Sequence, residues 1–372
     1  MKFAIITHVP HILKNRLYYG YGPYVREMNI WLTQAEEVLI VAPTANIELT
    51  PIHECYDHPK IHFFEVSNFD ITTFKNAFKT FILLPKIFMT TYKVMSQADH
   101  IHLRCPGNMG LIGTLVQMLF PSKPKTAKYA GNWDPNSKQP FTYKLQRWIL
   151  SNTFLTKNMQ VLVYGDWESK TINIRSFFTA TYSEIDKLPL IERNLNVKIN
   201  FLFVGTLSKG KQPLYVIQLL QKLRDKGVNA FLTFYGEGEE RNLLETYIKK
   251  NNLQDYVVLK GNQTKETIIK AYQNSHFLVL PSKSEGWPKV VAEAMFWGCV
   301  PIASPVSCVS FMLGNGSRGI LLNENLEQDA SEIVKLLNSN KDYQEMAVEG
   351  SLWSRHYTTE LFESEIIKLL QP

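Results

Sequence analysis

Cysteine is scarce in this sequence: Cys55, Cys105, Cys299 and Cys308 are the four in 372 residues, and no two of them form a C-x-x-C pair. This wide spacing argues against both a disulfide framework and a zinc knuckle. We therefore expect four reduced thiols, as in a cytosolic protein.

Long apolar runs are missing as well. The most apolar stretch, Phe78 to Met89, is interrupted by Lys79, Pro85 and Lys86, and it is shorter than the roughly 20 residues that cross a bilayer. Residues 1–8 lead straight into a strand-like pattern, without the longer apolar region and cleavage site of a secretory signal. We expect a cytoplasmic protein, either free or at the inner face of the membrane.

The charge balance is only modestly basic. The chain has 40 Lys and Arg against 34 Asp and Glu, a net charge of +6, and its lysines are scattered along the sequence. A solvated surface is the preferred interpretation, and attraction to anionic lipid or acidic glycan is the second. No nucleic-acid-binding signature accompanies the charge, so no nucleic-acid partner is expected.

Short apolar runs alternate with helical patterns, which is typical of parallel strands joined by helical crossovers. In the first half, the strand-like runs are Phe3–Thr7, Val38–Ala42, Ile61–Val66, His100–Leu103, Lys128–Ala130 and Val161–Tyr164. In the second half, they are Ile199–Gly205, Ala230–Tyr235, Val257–Lys260, Phe277–Leu280, Val300–Ala303 and Gly319–Leu322.

A polar segment, 183–200, separates the two series and is the expected linker. The pattern predicts an α/β protein with two Rossmann-like domains whose parallel sheets face a central cleft, where a ligand would bind. We assign residues 1–190 to the first domain, 198–355 to the second and 356–372 to a C-terminal helix.

The helical stretch Thr73 to Met95 mixes aromatic and aliphatic residues with lysines. Packing of one aromatic stripe into the core is the favoured interpretation. Peripheral contact with a membrane surface is the alternative.

The most informative stretch runs from Leu280 to Pro301 and reads as a strand, a turn and a short helix over 288–297. Pro288 suits the first helical position and Gly298 the C-terminal cap. Free N–H groups near Lys289 to Val291 would make the helix start an anion site suited to a diphosphate.

Two carboxylates, Glu285 and Glu293, flank this helix start eight positions apart and could line one edge of a pocket. Carboxylates accept hydrogen bonds from hydroxyl groups, so the ribose and the sugar ring of a nucleoside diphosphate sugar are suitable partners. An ordinary helix with exposed glutamates is the competing interpretation.

The neighbourhood of the two glutamates resembles the E-x7-E signature of family 4 retaining glycosyltransferases, which have the GT-B fold. The likeness includes Ser284–Pro288 and Glu293–Met295, and it extends in order and spacing to Phe203–Leu207, Tyr235–Glu239 and Val257–Asn262. It covers essentially all of the second domain, whereas the first domain matches in architecture only.

The resemblance implies that Glu293 holds the ribose hydroxyls and that Glu285 lies by the transferred sugar and the diphosphate. The segment Gly286-Trp287-Pro288-Lys289 would bring backbone N–H groups to the phosphates. Gly261 and Asn262 would lie against the nucleobase, and Gly205 would let backbone approach the donor.

The sequence departs from the family at Thr206, which stands where the family has an Arg that neutralises the diphosphate. The remaining basic residue of that pair is Lys209 or Lys211, and we favour Lys211 because it precedes the following helix at about the family distance. Arg318 is a weaker candidate for the missing charge.

No metal and no cofactor are expected. Lysine and a helix N-terminus can stabilise the departing diphosphate of a UDP-, GDP- or ADP-sugar without a metal ion. There is no D-x-D motif, and the nine histidines form no ligand cluster.

Candidates on the acceptor side lie in the first domain. Gly20 and Gly22 occupy the place of the family's glycine-rich loop, with a tight helix-entry turn as the alternative. Asn132 and Asp134 follow a strand, and Asp134 would contact the sugar or help to activate the acceptor, with a turn-forming Asp before Pro135 as the alternative. His8, after the first strand, is a further candidate.

The resemblance therefore predicts a retaining hexosyltransferase that acts on a saccharide or lipid-linked acceptor in cell-envelope or exopolysaccharide synthesis. A nucleotide-sugar 2-epimerase and a non-catalytic nucleotide-sugar-binding subunit of a glycan assembly complex are the alternatives. The loss of the Arg at Thr206 supports the second of these.

Overall fold

The computed structural model describes residues 1–67, 74–167 and 171–371. They fold into two compact units, Met1–Thr179 with Phe362–Pro372 and Ala180–Leu361. The first unit thus ends before residue 190, the predicted boundary, and it takes in the end of the chain from Phe362 onward.

A parallel sheet forms the centre of the first unit, in the order β10-β9-β8-β7-β1-β4-β6. The strands of this unit are β1 (Lys2–Ile6), β2 (Ile12–Lys14), β3 (Leu17–Tyr21), β4 (Glu37–Ala42), β5 (His53–Cys55), β6 (Ile61–Glu65), β7 (His100–Cys105), β8 (Lys125–Tyr129), β9 (Met159–Tyr164) and β10 (Ile174–Phe177). The predicted strands of the first half are confirmed. Strands such as β4 are almost continuously apolar because helices cover both faces of the sheet.

A small antiparallel sheet of β2, β3 and β5 was not predicted. β3 pairs with both neighbours, with Tyr19 opposite Ile12 and Gly20 opposite Glu54. Part of the segment interpreted as a glycine-rich loop is therefore a strand.

The helices of the first unit pack on its parallel sheet. They are α1 (Gly22–Leu32), α2 (Phe74–Gln97), α3 (Asn108–Val116) and α4 (Phe141–Leu150). In α2, Leu83 and Leu84 pack against the core, as the core-packing interpretation predicts, but Ile82 is exposed. The side chains of Phe74, Phe78 and Phe81 lie outside the described residues.

A second parallel sheet, in the order β13-β12-β11-β14-β15-β16, forms the centre of the second unit. Its strands are β11 (Ile199–Val204), β12 (Ala230–Tyr235), β13 (Val257–Leu259), β14 (Phe277–Leu280), β15 (Val300–Ala303) and β16 (Ile320–Leu321). All of them lie within one or two residues of the predicted positions, so the second series is also confirmed.

The helices that follow are α5 (Pro213–Asp225), α6 (Arg241–Lys250), α7 (Lys265–Asn274), α8 (Lys289–Phe296), α9 (Val309–Met312), α10 (Leu326–Leu337), α11 (Asn340–His356) and α12 (Thr359–Leu370). Phe362 of α12 belongs to the first unit, where its ring centre lies 5.5 Å from that of Phe177. Lys128 Nζ lies 4.9 Å from the same Phe362 ring. A buried aromatic contact thus attaches the end of the chain to the first unit.

In the described part of the chain, no helix combines the length and the apolar character that crossing a bilayer requires.

Candidate functional site

Four loops of the second unit follow strands that are neighbours in its sheet, in the spatial order β13, β12, β11 and β14. Because these strands are parallel, the loops after them emerge at one edge of the sheet. Three of the loops carry predicted donor-binding residues: Gly205, Lys209 and Lys211 after β11, Gly261 and Asn262 after β13, and Glu285 to Lys289 after β14.

The loops after β11, β12 and β13 are joined by backbone hydrogen bonds at a distance that requires glycine. Gly205 donates its N–H to Tyr235 O at 2.9 Å, and Gly236 donates to Gly261 O at 2.9 Å. Gly236 has a φ of +140°, and a Cβ built on it would lie 1.9 Å from Gly205 O. Only a residue without a side chain fits here, because the clash would be with rigid backbone.

The predicted nucleobase contact lies next to an ion pair. Gly261 has a φ of +67°, and a Cβ on it would come within 2.7 Å of Glu237 Oε1. That carboxylate pairs with Arg241 Nη1 at 2.5 Å, and Asn262 is exposed beside it. The loop after β13 therefore presents backbone and polar side chains, and its contact with a nucleobase stays a prediction.

The structure brings Lys211 and Glu285 together as an ion pair between Nζ and Oε1. The Glu285 side chain is 9% exposed and that of Lys211 is 28% exposed, so the pair is largely shielded from water. The turn carrying Lys211 is attached to the Glu285 loop, since Lys283 donates its N–H to Gly210 O at 2.9 Å. Of the two candidate lysines, Lys209 and Lys211, the favoured Lys211 is thus the one that pairs with Glu285.

Helix α8 begins one residue later than predicted. Pro288 lies just before the helix with a ψ of 89°, which is outside the helical range. Val291 donates its N–H to Pro288 O at 2.9 Å, so one of the three N–H groups predicted for an anion is already used. Gly298, with a φ of +69°, follows the helix and caps its end as predicted.

The turn before α8 is held from two sides. The Gly286 carbonyl accepts hydrogen bonds from Ser307 Oγ at 3.2 Å and from Cys308 Sγ at 3.1 Å. Burial raises the pKa of the Cys308 thiol to about 12, which keeps it protonated as a donor. Trp287 is buried, and its ring centre lies 6.0 Å from that of Trp353. These contacts position the backbone between the two glutamates.

Glu293 is held by two hydroxyl groups that sequence reasoning missed. Thr181 Oγ1 donates to Glu293 Oε1 at 2.9 Å, and the Tyr272 hydroxyl donates to Oε2 at 3.0 Å. Burial, followed by the charge of Glu293, raises the pKa of Tyr272 well above its usual value, so Tyr272 remains a hydrogen donor. No local motif marks Thr181 or Tyr272, because each is an isolated residue far from Glu293 in the sequence.

The other candidates for the family's missing charge have different surroundings. Thr206 and Lys209 are exposed. Arg318 donates from Nη2 to Phe311 O at 2.8 Å, and its guanidinium lies 4.8 Å from the centre of the Trp353 ring. Arg318 thus contacts the carbonyl of Phe311 and the ring of Trp353.

In the first unit, the loops after β1, β4 and β7 line a cavity of about 210 Å³. His8, Asn108 and Tyr143 are among its lining residues. A Cβ on Gly107 would come within 2.8 Å of His8 Nδ1, so the imidazole packs closely on that loop. His8 therefore lies at the carboxyl edge of the sheet, where ligands of such folds bind.

Gly20 and Gly22 lie in the predicted helix-entry region. Gly20 is buried in β3, where a Cβ would lie 3.1 Å from Val25 Cγ2. Gly22 begins α1 and donates its N–H to Ile52 O at 2.8 Å. These contacts are those of a tight helix-entry turn, the alternative interpretation, and an acceptor role for these glycines stays a prediction.

Asn132 and Asp134 stabilise the turn in which they lie. Asn132 Oδ1 accepts from the Asp134 N–H at 2.9 Å, and Asp134 Oδ1 accepts from the Asn136 N–H at 2.8 Å. This is the pattern of turn-forming Asn and Asp residues. The acceptor-activating role of Asp134 stays a prediction.

The match to a protein-family model lies in the second unit. Residues 191–351 match the family model described as glycosyl transferases group 1. An uncharacterized glycosyltransferase of Methanocaldococcus jannaschii is 32% identical over 165 residues, which are 40% of each chain. The GDP-mannose:cellobiosyl-diphosphopolyprenol alpha-mannosyltransferase of Xanthomonas campestris is 26% identical over 146 residues, which are 38% of each chain.

These sequence matches are partial. The chain covers 40%, 44% and 49% of the lengths of three curated relatives.

Similarity of fold extends over the whole chain. HepE of Anabaena, solved in complex with UDP, superposes with a TM-score of 0.70 and 12% identity over 99% of this chain and 98% of its own. At this identity the likeness concerns the fold alone. The chain thus has the GT-B fold, and part of its second unit is similar in sequence to the glycosyl transferases group 1 model.

Proposed function

We propose that this chain is a retaining glycosyltransferase of family 4 type. It transfers a hexose-type sugar from a nucleoside diphosphate sugar to a saccharide or lipid-linked acceptor, in cell-envelope or exopolysaccharide synthesis. The observation that carries the proposal is the ion pair of Lys211 with Glu285 just before α8, the helix that also bears Glu293.

Glu293 binds the ribose of the donor in this proposal. A carboxylate has about four acceptor positions on its two oxygens. Thr181 and Tyr272 use one on each oxygen. One position per oxygen remains for the two neighbouring hydroxyl groups of a ribose, whose spacing suits a carboxylate.

Lys211 and the backbone of Gly286 to Lys289 receive the diphosphate. Without a donor, Glu285 neutralises the lysine. When a donor binds, its diphosphate competes for Lys211, and the ammonium can stabilise the charge that develops as the diphosphate departs. Lys211 thus makes a contact that is stronger in the transition state than in the ground state, which is the condition for faster chemistry.

We propose that the reaction uses no resident metal and no cofactor, because Lys211 supplies positive charge where the leaving group needs it. Retention is proposed from the family resemblance, and the spacing of the two glutamates in the sequence does not bear on it.

On the acceptor side, we propose that the cavity lined by His8 and Tyr143 receives a hydroxyl-bearing group of the acceptor. The mannosyltransferase of Xanthomonas campestris has, by its name, a diphosphopolyprenol-linked acceptor. This relative is the support for proposing a lipid-linked saccharide for this chain.

A direct test incubates the purified chain with UDP-, GDP- and ADP-sugars and with saccharide and lipid extracts. Nucleotide release and product mass report transfer, and NMR of the product reports the anomeric configuration. We expect nucleotide release coupled to one product with the donor's configuration. Inversion at C2 of free donor would instead identify a 2-epimerase.

A second candidate function is a non-catalytic nucleotide-sugar-binding subunit, which Thr206 in place of the family's Arg favours. Binding of a donor without turnover in any extract would support it and contradict the transferase proposal. The variant Glu285→Gln should abolish most transfer. Glu345→Gln, in α11 with a 68% exposed side chain, is the matched control and should retain it.

A further inference from the structure

Acidic residues are almost absent from one stretch of the sequence. Residues 71–164 contain twelve Lys and Arg but only two acidic residues, Asp99 and Asp134. The whole chain has a net charge of +6, so the residues outside this stretch carry a net negative charge. The positive charge of the protein is therefore concentrated in the first unit.

Three helices from this stretch form one layer on the parallel sheet of the first unit. α3 packs against both α2 and α4. Their inner faces supply Val94, Ile112 and Leu150 to the same hydrophobic core. The opposite faces of the three helices consequently point away from the sheet on the same side.

Large apolar side chains are exposed on this outer side. Phe141 and Trp148 of α4 are 77% and 61% exposed, and Phe154 in the turn after α4 is 75% exposed. Phe141 and Trp148 are seven positions apart, so they lie on the same side of the helix. Leu119, in the turn that follows α3, and Met89 of α2 are also exposed. Soluble monomers rarely leave large apolar side chains grouped in water.

Lysines alternate with these aromatic residues. Lys144 lies between Phe141 and Trp148 at helical spacing and is exposed. Lys157 Nζ lies 5.2 Å from the centre of the Phe154 ring. The outer side of α4 and its following turn therefore presents aromatic rings and ammonium groups together, and we call Phe141, Lys144, Trp148, Phe154 and Lys157 the basic aromatic face.

We propose that the basic aromatic face docks on the surface of an anionic lipid bilayer. Aromatic rings insert at the boundary between headgroups and acyl chains, while lysine stems lie along apolar surface and keep their ammonium groups at the anionic headgroups. Lysine is depleted in protein–protein interfaces, which favours a bilayer over a protein partner. The inference goes beyond the proposed sugar transfer and does not depend on it.

Vesicle sedimentation of the full chain tests the proposal. The probes are vesicles of phosphatidylcholine alone and of phosphatidylcholine with one third phosphatidylglycerol. We expect sedimentation with the anionic vesicles, much less with the neutral ones, and weakening as salt is raised. The absence of sedimentation with anionic vesicles, or equal sedimentation with both kinds, would overturn the proposal.

Two pairs of substitutions locate the surface. Lys144→Gln with Lys157→Gln should weaken binding to anionic vesicles on the order of 25-fold, given roughly fivefold for each of the two lysines near such a surface. Trp148→Ser with Phe154→Ser should weaken it by at least as much. Because all four side chains are exposed, the melting temperatures of both double variants should equal that of the parent chain. These melting temperatures are measured in parallel.

Lys341→Gln with Leu352→Ser is the matched control, since both positions lie exposed on α11 of the second unit. This control pair should bind as the parent does. Loss of binding in the control pair, or full binding in the face variants, would contradict the assignment. A concentration-dependent dimer in sedimentation velocity that Trp148→Ser abolishes, without vesicle binding, would identify the face as an interface between copies of the chain.

Discussion

Tyr272→Phe removes one hydroxyl group and tests whether Glu293 must be oriented in order to bind the donor. Tyr272 is fully buried, and its hydroxyl donates to Glu293 Oε2 at 3.0 Å. The substitution keeps the ring and its packing. Among the described residues, the hydrogen bond from Thr181 then remains to Glu293, which gains freedom to rotate.

The size of the effect follows from the kind of hydrogen bond that is lost. A hydrogen bond to a charged group contributes roughly 1.5–3 kcal/mol. Glu293 is partly exposed, so water can replace some of this contribution. We expect nucleotide affinity to fall by about fivefold to tenfold, or about 1–1.4 kcal/mol, because the carboxylate must be ordered again on binding.

Isothermal titration calorimetry with UDP, GDP and ADP measures this change, using the nucleotide that the parent chain binds. Tyr343→Phe is a matched control, because Tyr343 is also fully buried in the second unit and its hydroxyl donates to a backbone carbonyl, His276 O, at 2.9 Å. Tyr343→Phe should lower the free energy of unfolding by about 1 kcal/mol, and Tyr272→Phe by as much or more, because its hydrogen bond is to a charged group. Only Tyr272→Phe should lose nucleotide affinity.

Equal nucleotide affinities for the two tyrosine variants would refute the positioning role. Glu293→Gln separates this failure from a failure of the ribose assignment itself. If Glu293→Gln leaves the affinity unchanged, the ribose contact is wrong. If it weakens binding while Tyr272→Phe does not, Glu293 binds the donor without help from Tyr272. Thr181→Ser should keep the affinity and Thr181→Val should lower it.

Three further predictions concern charge. Lys211→Ala should lower kcat on the order of 10²–10³-fold in a nucleotide-release assay, as loss of one transition-state donor does. Lys335→Ala, at an exposed lysine of α10, should leave kcat unchanged. Comparable values of kcat for the two variants would contradict the leaving-group role of Lys211. Glu27→Gln should lower the free energy of unfolding by about 3–5 kcal/mol in urea titrations, because Lys128 Nζ at 2.8 Å and Arg104 Nη1 at 3.4 Å would lose the charge of Glu27. Adding Lys128→Met should restore part of the loss, while Arg104 still lacks the charge of Glu27. No recovery at all would contradict this account. Burial lowers the pKa of His100 to about 4, so below pH 6.5 the unfolded chain binds more protons than the folded one. His100 should therefore lower the free energy of unfolding by about 1.4 kcal/mol between pH 7.5 and 5.5. If His100→Asn leaves the pH dependence of the free energy of unfolding unchanged, this account is wrong.

The parallel strands could be predicted because strands that are buried on both faces appear in the sequence as continuous apolar runs. Ala230–Tyr235 has the same bounds in the prediction and in the structure. The antiparallel sheet could not be predicted in this way, since His53–Cys55 and Ile12–Lys14 are three residues long. Runs of that length show no period, and their pairing depends on residues distant in the sequence.

The donor-side residues could be named from the resemblance, but their partners could not. Lys211 and Glu285 are 74 positions apart, and only folding brings their side chains into an ion pair. Thr181 is 112 positions from Glu293 and lies outside the matched residues 191–351. Pro288 shows the limit of local rules, because a proline that suits the first helical position has a non-helical ψ here.

The alternation of strands and helices, the order of the two sheet-forming series and the identity of the two glutamates around α8 all follow from the amino-acid sequence alone. These features are local, since they depend on burial periodicity and on short motifs. Three features emerge only on folding: the hydroxyl groups that hold Glu293, the lysine that pairs with Glu285 and the place where the end of the chain packs. Those contacts join residues that are remote in the sequence, and their free energies depend on distances and on exclusion of water that no local pattern records.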